Sequence, residues 1–186
     1  MMKKTVVGSV LLFLMLGLLM IFPLMVGYMG KNTHSIEVNI PSIAPMFLKE
    51  EQAQGVLLYF GYVGCTSVCI PALQEMAPMY TRLREKFPSL GFYFVNLNST
   101  QPLDWPSSFA QSFHPDFHGI YTPESELERL ERDFNLAVTS NNQDMGHSSN
   151  LYLMIKENNS YVLKRIYTTH PYDEYLIEYD LKRLLP

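Results

Sequence analysis

An α/β layered domain carried behind one long apolar helix is the fold class that the sequence predicts, and three observations predict it. Residues 5–29 run for twenty-five positions without a charge. Downstream, short unbroken apolar runs beginning near residues 55, 91 and 118 alternate with stretches whose apolar positions step by three and four. Two further apolar runs are then joined by a short polar segment, and one more helical stretch closes the chain.

The apolar run follows Met1-Met2-Lys3-Lys4 and is dominated by Val, Leu, Phe, Met and Ile. As a helix it reaches roughly 37 Å at 1.5 Å per residue, more than the roughly 30 Å of a hydrocarbon core. It is longer than the apolar region of a cleaved leader and carries no Ala-x-Ala site, so residues 1–30 are expected to form a single uncleaved transmembrane anchor. Lys3 and Lys4 before it outnumber Lys31 after it. That imbalance predicts a cytoplasmic N-terminus, an inner-membrane position and a soluble part in the periplasm or an equivalent compartment.

Beyond the anchor, twelve Lys and Arg face eighteen Asp and Glu. A net charge of that sign, with no basic cluster, argues against a nucleic-acid partner. What remains suffices for one domain with its own core. We divide the chain into the anchor at 1–30, a linker or edge segment at 31–53, and the domain at 54–186.

Within 31–53, Ile36, Val38 and Ile40 alternate with polar neighbours, the pattern of an edge strand. Gly55-Val56-Leu57-Leu58-Tyr59-Phe60 is unbroken and bounded by glycines, which predicts a strand buried on both faces. From Ser67 to Phe87 the apolar positions Val68, Leu73, Met76, Met79, Tyr80, Leu83 and Phe87 predict an amphipathic helix, with Pro71 in its first turn and Pro78 expected to kink or divide it. A second buried strand is predicted from Gly91 to Leu97, a short helix from Asp104 to Phe113, and a brief strand from His118 to Tyr121. Thr122-Pro123-Glu124 reads as the start of another helix, with Thr122 as cap and acids in the first turn. Asn150 to Ile155 and Tyr161 to Tyr167, joined by Lys156-Glu157-Asn158-Asn159-Ser160, form a hairpin, and Tyr172 to Leu185 a last helix. A parallel core followed by an antiparallel hairpin and a helix is a thioredoxin-like layer sandwich, with helices on both faces.

The only cysteines are Cys65 and Cys69, in Gly64-Cys65-Thr66-Ser67-Val68-Cys69. A disulfide between them would close so small a loop that it adds little as a fold staple, so the pair reads as functional. In this architecture Cys65 lies in the loop leaving a central strand and Cys69 near the start of a helix, whose N-terminus favours thiolates. Gly146-His147-Ser148 lies in the polar stretch ahead of the strand from Asn150. Two soft sulfurs and one imidazole make a three-ligand set suited to copper, the thiolates for Cu(I) and the imidazole for Cu(II). For this to hold, His147 must enter at the cysteine-bearing end of the sheet, on a loop, residues 140–146, long enough to move. Met145 is a weaker thioether candidate, and His114 with His118 a weaker auxiliary site.

The run Tyr59-Phe60-Gly61-Tyr62-Val63-Gly64-Cys65-Thr66-Ser67-Val68-Cys69, and His147-Ser148 ahead of Tyr152-Leu153, resemble the SCO/SenC proteins, membrane-anchored thioredoxin-fold copper proteins. Phe113-His114-Pro115-Asp116-Phe117-His118-Gly119 is similar to the family's join between a helix and a strand. The resemblance implies Cys65, Cys69 and His147 as copper ligands and a part in building the copper centre of cytochrome c oxidase. It implies, as partners, a copper-accepting membrane protein such as an oxidase subunit, and other copper carriers. The chain resembles a divergent member, with Thr66-Ser67 between the cysteines, Ile70-Pro71 after them, Asn96-Leu97-Asn98-Ser99-Thr100 after the second strand, and Gly146 before the histidine.

Three roles follow from these residues: a copper-binding assembly protein without turnover, a thiol–disulfide oxidoreductase, and a redox or copper sensor acting through a membrane partner. The spacing of the cysteines weighs against the second, whose usual motif is Cys-x-x-Cys.

Overall fold

The alternation of buried runs and amphipathic stretches becomes, in a computed structural model of the chain, a six-stranded sheet with helices packed on both faces. The structure describes residues 13–23, 25, 35–41, 43–136, 139–141, 144–146, 149–168 and 170–185, with the backbone alone at 139–141 and 144–146. It divides into two units, Met1–His34 and Ser35–Pro186.

In the first unit, helix α1 covers residues 13–23. At 1.5 Å per residue it spans about 16 Å, roughly half of a bilayer's hydrocarbon core. Among the described residues no helix is long and apolar enough to cross a membrane. The transmembrane helix expected over residues 5–29 is therefore not seen there, and the other residues of that span, Met25 apart, lie outside the described set. The large apolar side chains of α1, Phe13 and Phe22 included, are exposed.

The second unit contains β1 (Ser35–Ile40), β2 (Gly55–Gly61), α2 (Cys69–Lys86), β3 (Leu90–Asn96), α3 (Trp105–Gln111), β4 (Phe117–Ile120), α4 (Glu124–Asp133), β5 (Thr139–Asn141), β6 (Asp144–Gly146), β7 (Leu151–Glu157), β8 (Ser160–Tyr167) and α5 (Glu174–Leu184). The sheet order is β1-β8-β7-β2-β3-β4. Strands β2, β3 and β4 are parallel, whereas β7 runs antiparallel to β2 and β8, and β1 closes the edge against β8.

Every residue of β2 is buried, which is why its sequence is a continuous apolar run rather than an alternating one. Its side chains still divide by parity. Leu57 and Tyr59, with Phe92 and Phe94 of β3, face a cluster built from α2, Ala110 of α3, and Ile177 and Leu181 of α5. Val56, Leu58 and Phe60 face the other way, toward Leu130 of α4 and Leu48 of a short 3-10 turn at Met46–Leu48. Gly119 lets α3 lie directly on β4, since a Cβ there would come 1.8 Å from the carbonyl oxygen of Pro106. Asn158 and Asn159, both at positive φ, turn the chain from β7 to β8, a backbone shape that matches the twist of paired strands.

One buried charge pair ties α5 to the sheet. Asp180 accepts from Arg165 Nη2 at 2.7 Å and from the Tyr167 hydroxyl at 3.0 Å. Asp180 is fully buried, and Arg165 also reaches the exposed Glu37 of β1.

Several local expectations are corrected. Pro78 does not divide α2, which continues through it as one helix. Thr122 does not cap α4: Pro123 precedes its first residue with no side-chain cap bond, and the Thr122 hydroxyl is buried without a partner among the described residues. The last helix begins at Glu174 rather than Tyr172, because Asp173 caps it by accepting from the Leu176 amide at 3.2 Å. Residues 140–146, expected as a loop, contain a hairpin in which Ser140 lies opposite Met145 and Asn141 opposite Asp144. Backbone pairing builds that hairpin from polar residues that show no alternation.

Candidate metal centre

Strand β2 ends on Gly61, and the chain turns through Tyr62-Val63-Gly64 before Cys65. Gly64 takes φ +91°, a conformation that costs glycine little and other residues more. The turn closes with Cys65 N donating to the Tyr62 carbonyl at 3.2 Å. Two side chains brace it, one from the last residue of β3 and one from beyond it: Asn96 Oδ1 accepts from Val63 N at 3.2 Å, and Gln101 Nε2 donates to the Val63 carbonyl at 2.8 Å. Asn96 is fully buried and its Nδ2 donates to the Asn98 carbonyl at 2.9 Å, so both ends of its amide are used.

Cys65 thus precedes α2, and Cys69 is the first residue of that helix. The Cys69 amide donates to Cys65 Sγ at 3.3 Å, which aims one of the helix's unsatisfied N-terminal donors at a sulfur. Cys69 Sγ rests against Gly61, where a Cβ would approach it to 2.7 Å. Both cysteines are thiols and both are buried, at 2% and 0% exposure, while Thr66, Ser67 and Val68 between them are exposed. The sulfurs belong to the same apolar cluster as Tyr59, Phe94, Leu151 and Tyr172.

Electrostatically the site departs from the expectation of easily formed thiolates. Burial pushes the Cys69 thiol well above its ordinary range, the neighbouring Cys65 pushes it further, and the Tyr62 backbone and Tyr59 hydroxyl only partly oppose this. Desolvation outweighs the pull of the helix N-terminus at this position. The Tyr59 and Tyr172 hydroxyls are likewise driven up by burial first, with Cys69 contributing to both. The Tyr59 hydroxyl meets no partner at ordinary hydrogen-bond geometry among the described residues.

Of the predicted ligands, Cys65 and Cys69 are brought together, whereas His147 lies outside the described residues. The side chain of Met145 is also outside them. The strand that follows His147 does begin at the cysteine-bearing end of the sheet, because Tyr59 of β2 lies opposite Leu151 of β7. His114 and His118 do not form an auxiliary site. His114 accepts from Asp116 N at Nδ1 and meets Thr81 Oγ1 at Nε2, both at 3.1 Å, whereas His118 stacks on Tyr93 at the other face of the sheet. Among the described residues no group of three His, Cys, Asp or Glu side chains could hold a metal ion. The pair of buried sulfurs in an apolar wall is itself a donor set of the soft kind that selects Cu(I) over hard cations.

Tyr59, Tyr172, Asn96 and Gln101 are residues of this region to which the sequence reading gave no role. A signal existed for one of them. His170-Pro171-Tyr172-Asp173 is a break and a cap ahead of a helix, which marks Tyr172 as a residue of the loop entering α5.

The SCO1/SenC family profile matches residues 48–179. The chain belongs to the SCO1/SenC family. Its fold is similar to that of a SCO1/SenC family lipoprotein from Bacillus anthracis, with 19% identity and a TM-score of 0.62 over 74% of this chain and 84% of that one. Arabidopsis thaliana ScoI, solved with copper bound, gives 18% identity and a TM-score of 0.61 over 73% and 86%. BsSco, described as a member of the Sco family of cytochrome c oxidase assembly proteins in which a disulfide switch was identified, gives 15% and 0.58 over 80% and 95%. No curated protein sequence matches the chain. For this SCO1/SenC chain the likenesses establish a mixed α/β, thioredoxin-like fold.

Proposed function

We propose that this SCO1/SenC chain is a copper-binding assembly protein that takes up Cu(I) or Cu(II) through Cys65, Cys69 and His147 and helps to build the copper centre of cytochrome c oxidase. The observation that carries the reading is the Cys69 amide aimed at Cys65 Sγ across 3.3 Å, which holds two buried sulfurs on one side of a helix start. Support for His147 comes from Ser149, two residues further along the chain. The Ser149 carbonyl accepts from the Tyr172 hydroxyl at 2.6 Å, Tyr172 packs in the apolar cluster that holds both sulfurs, and two residues of chain span at most about 7 Å. The copper-bound Arabidopsis relative and the oxidase-assembly relative support the cargo and the recipient.

On this reading the recipient is a copper-accepting membrane protein such as an oxidase subunit, with other copper carriers as donors. Residues 5–29 anchor the chain in the inner membrane with a cytoplasmic N-terminus, and the domain works in the periplasm or its equivalent. The exposed apolar side chains around α1 support that, since a helix apolar all round belongs in a core or a bilayer.

A second reading, thiol–disulfide exchange, is favoured by the same adjacency of two thiols. The raised Cys69 thiol weighs on both readings alike, because the thiolate is the nucleophile and the metal ligand; the Cys-x-x-x-Cys spacing is what opposes exchange, whose usual motif is Cys-x-x-Cys. Anaerobic titration of the detergent-solubilised full chain with Cu(I) and with Cu(II) separates the two, beside Cys65→Ser, Cys69→Ser and His147→Ala. Copper assembly predicts one ion per chain, loss of tight binding in either cysteine variant, and selective loss of Cu(II) in the histidine variant. Copper bound no better by the wild type than by the double-cysteine variant, with robust disulfide reductase activity, would sink it.

A further inference from the structure

Beside the thiols, one buried tyrosine is bonded at both ends. Tyr172 Oη donates to the Ser149 carbonyl at 2.6 Å, and Ser149 is the first described residue after His147. The backbone N–H of Tyr172 donates to Glu75 Oε1 at 2.8 Å. The other oxygen of that carboxylate faces His170 Nε2 at 2.9 Å, and the His170 ring meets the Tyr172 ring edge-on with centroids 5.5 Å apart. Glu75 lies on α2, the helix that Cys69 begins. Tyr172 is only 6% exposed and packs in the cluster that holds both sulfurs. A bridge therefore runs from the cysteine helix, through Glu75 and Tyr172, to the backbone just beyond His147.

Resting on the copper reading above, the geometry points to Tyr172 as a positioning residue for the histidine ligand, its hydroxyl setting where the His147 segment is rooted relative to the two thiols. A carbonyl outside helix and sheet is ordinarily satisfied by water, which imposes no position. Here the donor is a buried ring pinned to the cysteine helix, so the root inherits the position of that helix. The two sulfurs suffice for Cu(I), whereas Cu(II) calls on the imidazole. Loosening the root therefore acts on Cu(II) and spares Cu(I).

Tyr172→Phe keeps the ring and removes only the hydroxyl. In the detergent-solubilised full chain, competition against a chromogenic Cu(I) chelator is expected to give wild-type affinity. Cu(II) affinity is expected to fall by about tenfold or more, the usual effect of losing a group that orients a metal ligand. The Cu(II) electron paramagnetic resonance spectrum should lose its single nitrogen-coupled species, while the melting midpoint of the metal-free chain stays near wild type. Amide exchange at Asn150 in the metal-free chain should quicken, an effect independent of any metal. Cu(II) binding and spectrum identical to wild type, while His147→Ala loses Cu(II), would overturn the positioning role and leave the copper reading standing. Parallel losses of Cu(I) and Cu(II) that track a lowered melting midpoint would also overturn it, as a packing effect. A wild-type chain that binds copper no better than the double-cysteine variant overturns both.

Discussion

Cys69 Sγ sits on the bare backbone of Gly61, close enough that a methyl group there would approach it to 2.7 Å. The last residue of the central strand and the first residue of the following helix are thus packed against each other with no side chain between. The sulfur can reach its place only because position 61 has none.

Gly61→Ala should therefore damage both fold and site. The new methyl would also meet Phe94 at 3.0 Å, and overpacking of this kind costs about 1–3 kcal/mol. A lowered urea midpoint together with weaker Cu(I) retention against a chelator is expected, and an unchanged midpoint would show that the pocket yields without cost.

The turn carrying Cys65 depends on a residue thirty positions downstream. Asn96→Ala strips the half-buried Val63 amide of its partner at 3.2 Å, and leaving such a donor unsatisfied costs at most about 1–3 kcal/mol, the figure for full burial. Hydrogen exchange at Val63 should accelerate by more than the global loss of stability explains; equal changes throughout the domain would place the effect elsewhere.

Much of this was legible in the sequence, and the remainder has physical causes. The strand β2 announced itself because a strand covered on both faces must be apolar throughout, and the cysteine pair stood out as the chain's only sulfur of its kind. The braces did not. Asn96 ends β3 and Gln101 lies in the polar stretch after it, where such residues usually meet solvent, and only the tertiary fold reveals that they grip Val63. Tyr172 was read as part of a helix because its apolar spacing continues that of α5, whereas Asp173 captures the helix start. The β5–β6 hairpin leaves no pattern in side chains, since its pairing is written in backbone groups.

Removing the charge of Asp180 should be severe. Asp180→Asn leaves Arg165 with only the exposed Glu37 at 3.2 Å as its charged partner, and breaking a buried pair in this way costs up to about 3–5 kcal/mol. Glu174→Gln, which breaks the exposed pair with Arg82, should cost at most about 1 kcal/mol. Chemical denaturation of the two variants side by side checks the contrast, and similar losses would refute it.

Acid should weaken α4 through Glu126. Its hydrogen bonds from Arg129 hold its carboxyl below the usual carboxylate range. The folded-state value is depressed, so the contribution is complete above the ordinary value of about 4.3 and disappears as pH falls through the lowered one. The stability advantage of wild type over Glu126→Gln, below about 1 kcal/mol for a pair of this kind, should shrink on acidification. An advantage that grows as pH falls would reverse the assignment.

The exposure pattern across positions 65–69, with Thr66, Ser67 and Val68 in water and both sulfurs out of it, acts as a size filter. A bulky alkylating reagent or a large oxidant meets the intervening residues first and finds no sulfur to attack. Only a reagent or partner that displaces those residues reaches the thiols. Each sulfur is thereby shielded from bulk solvent by the turn that separates the two.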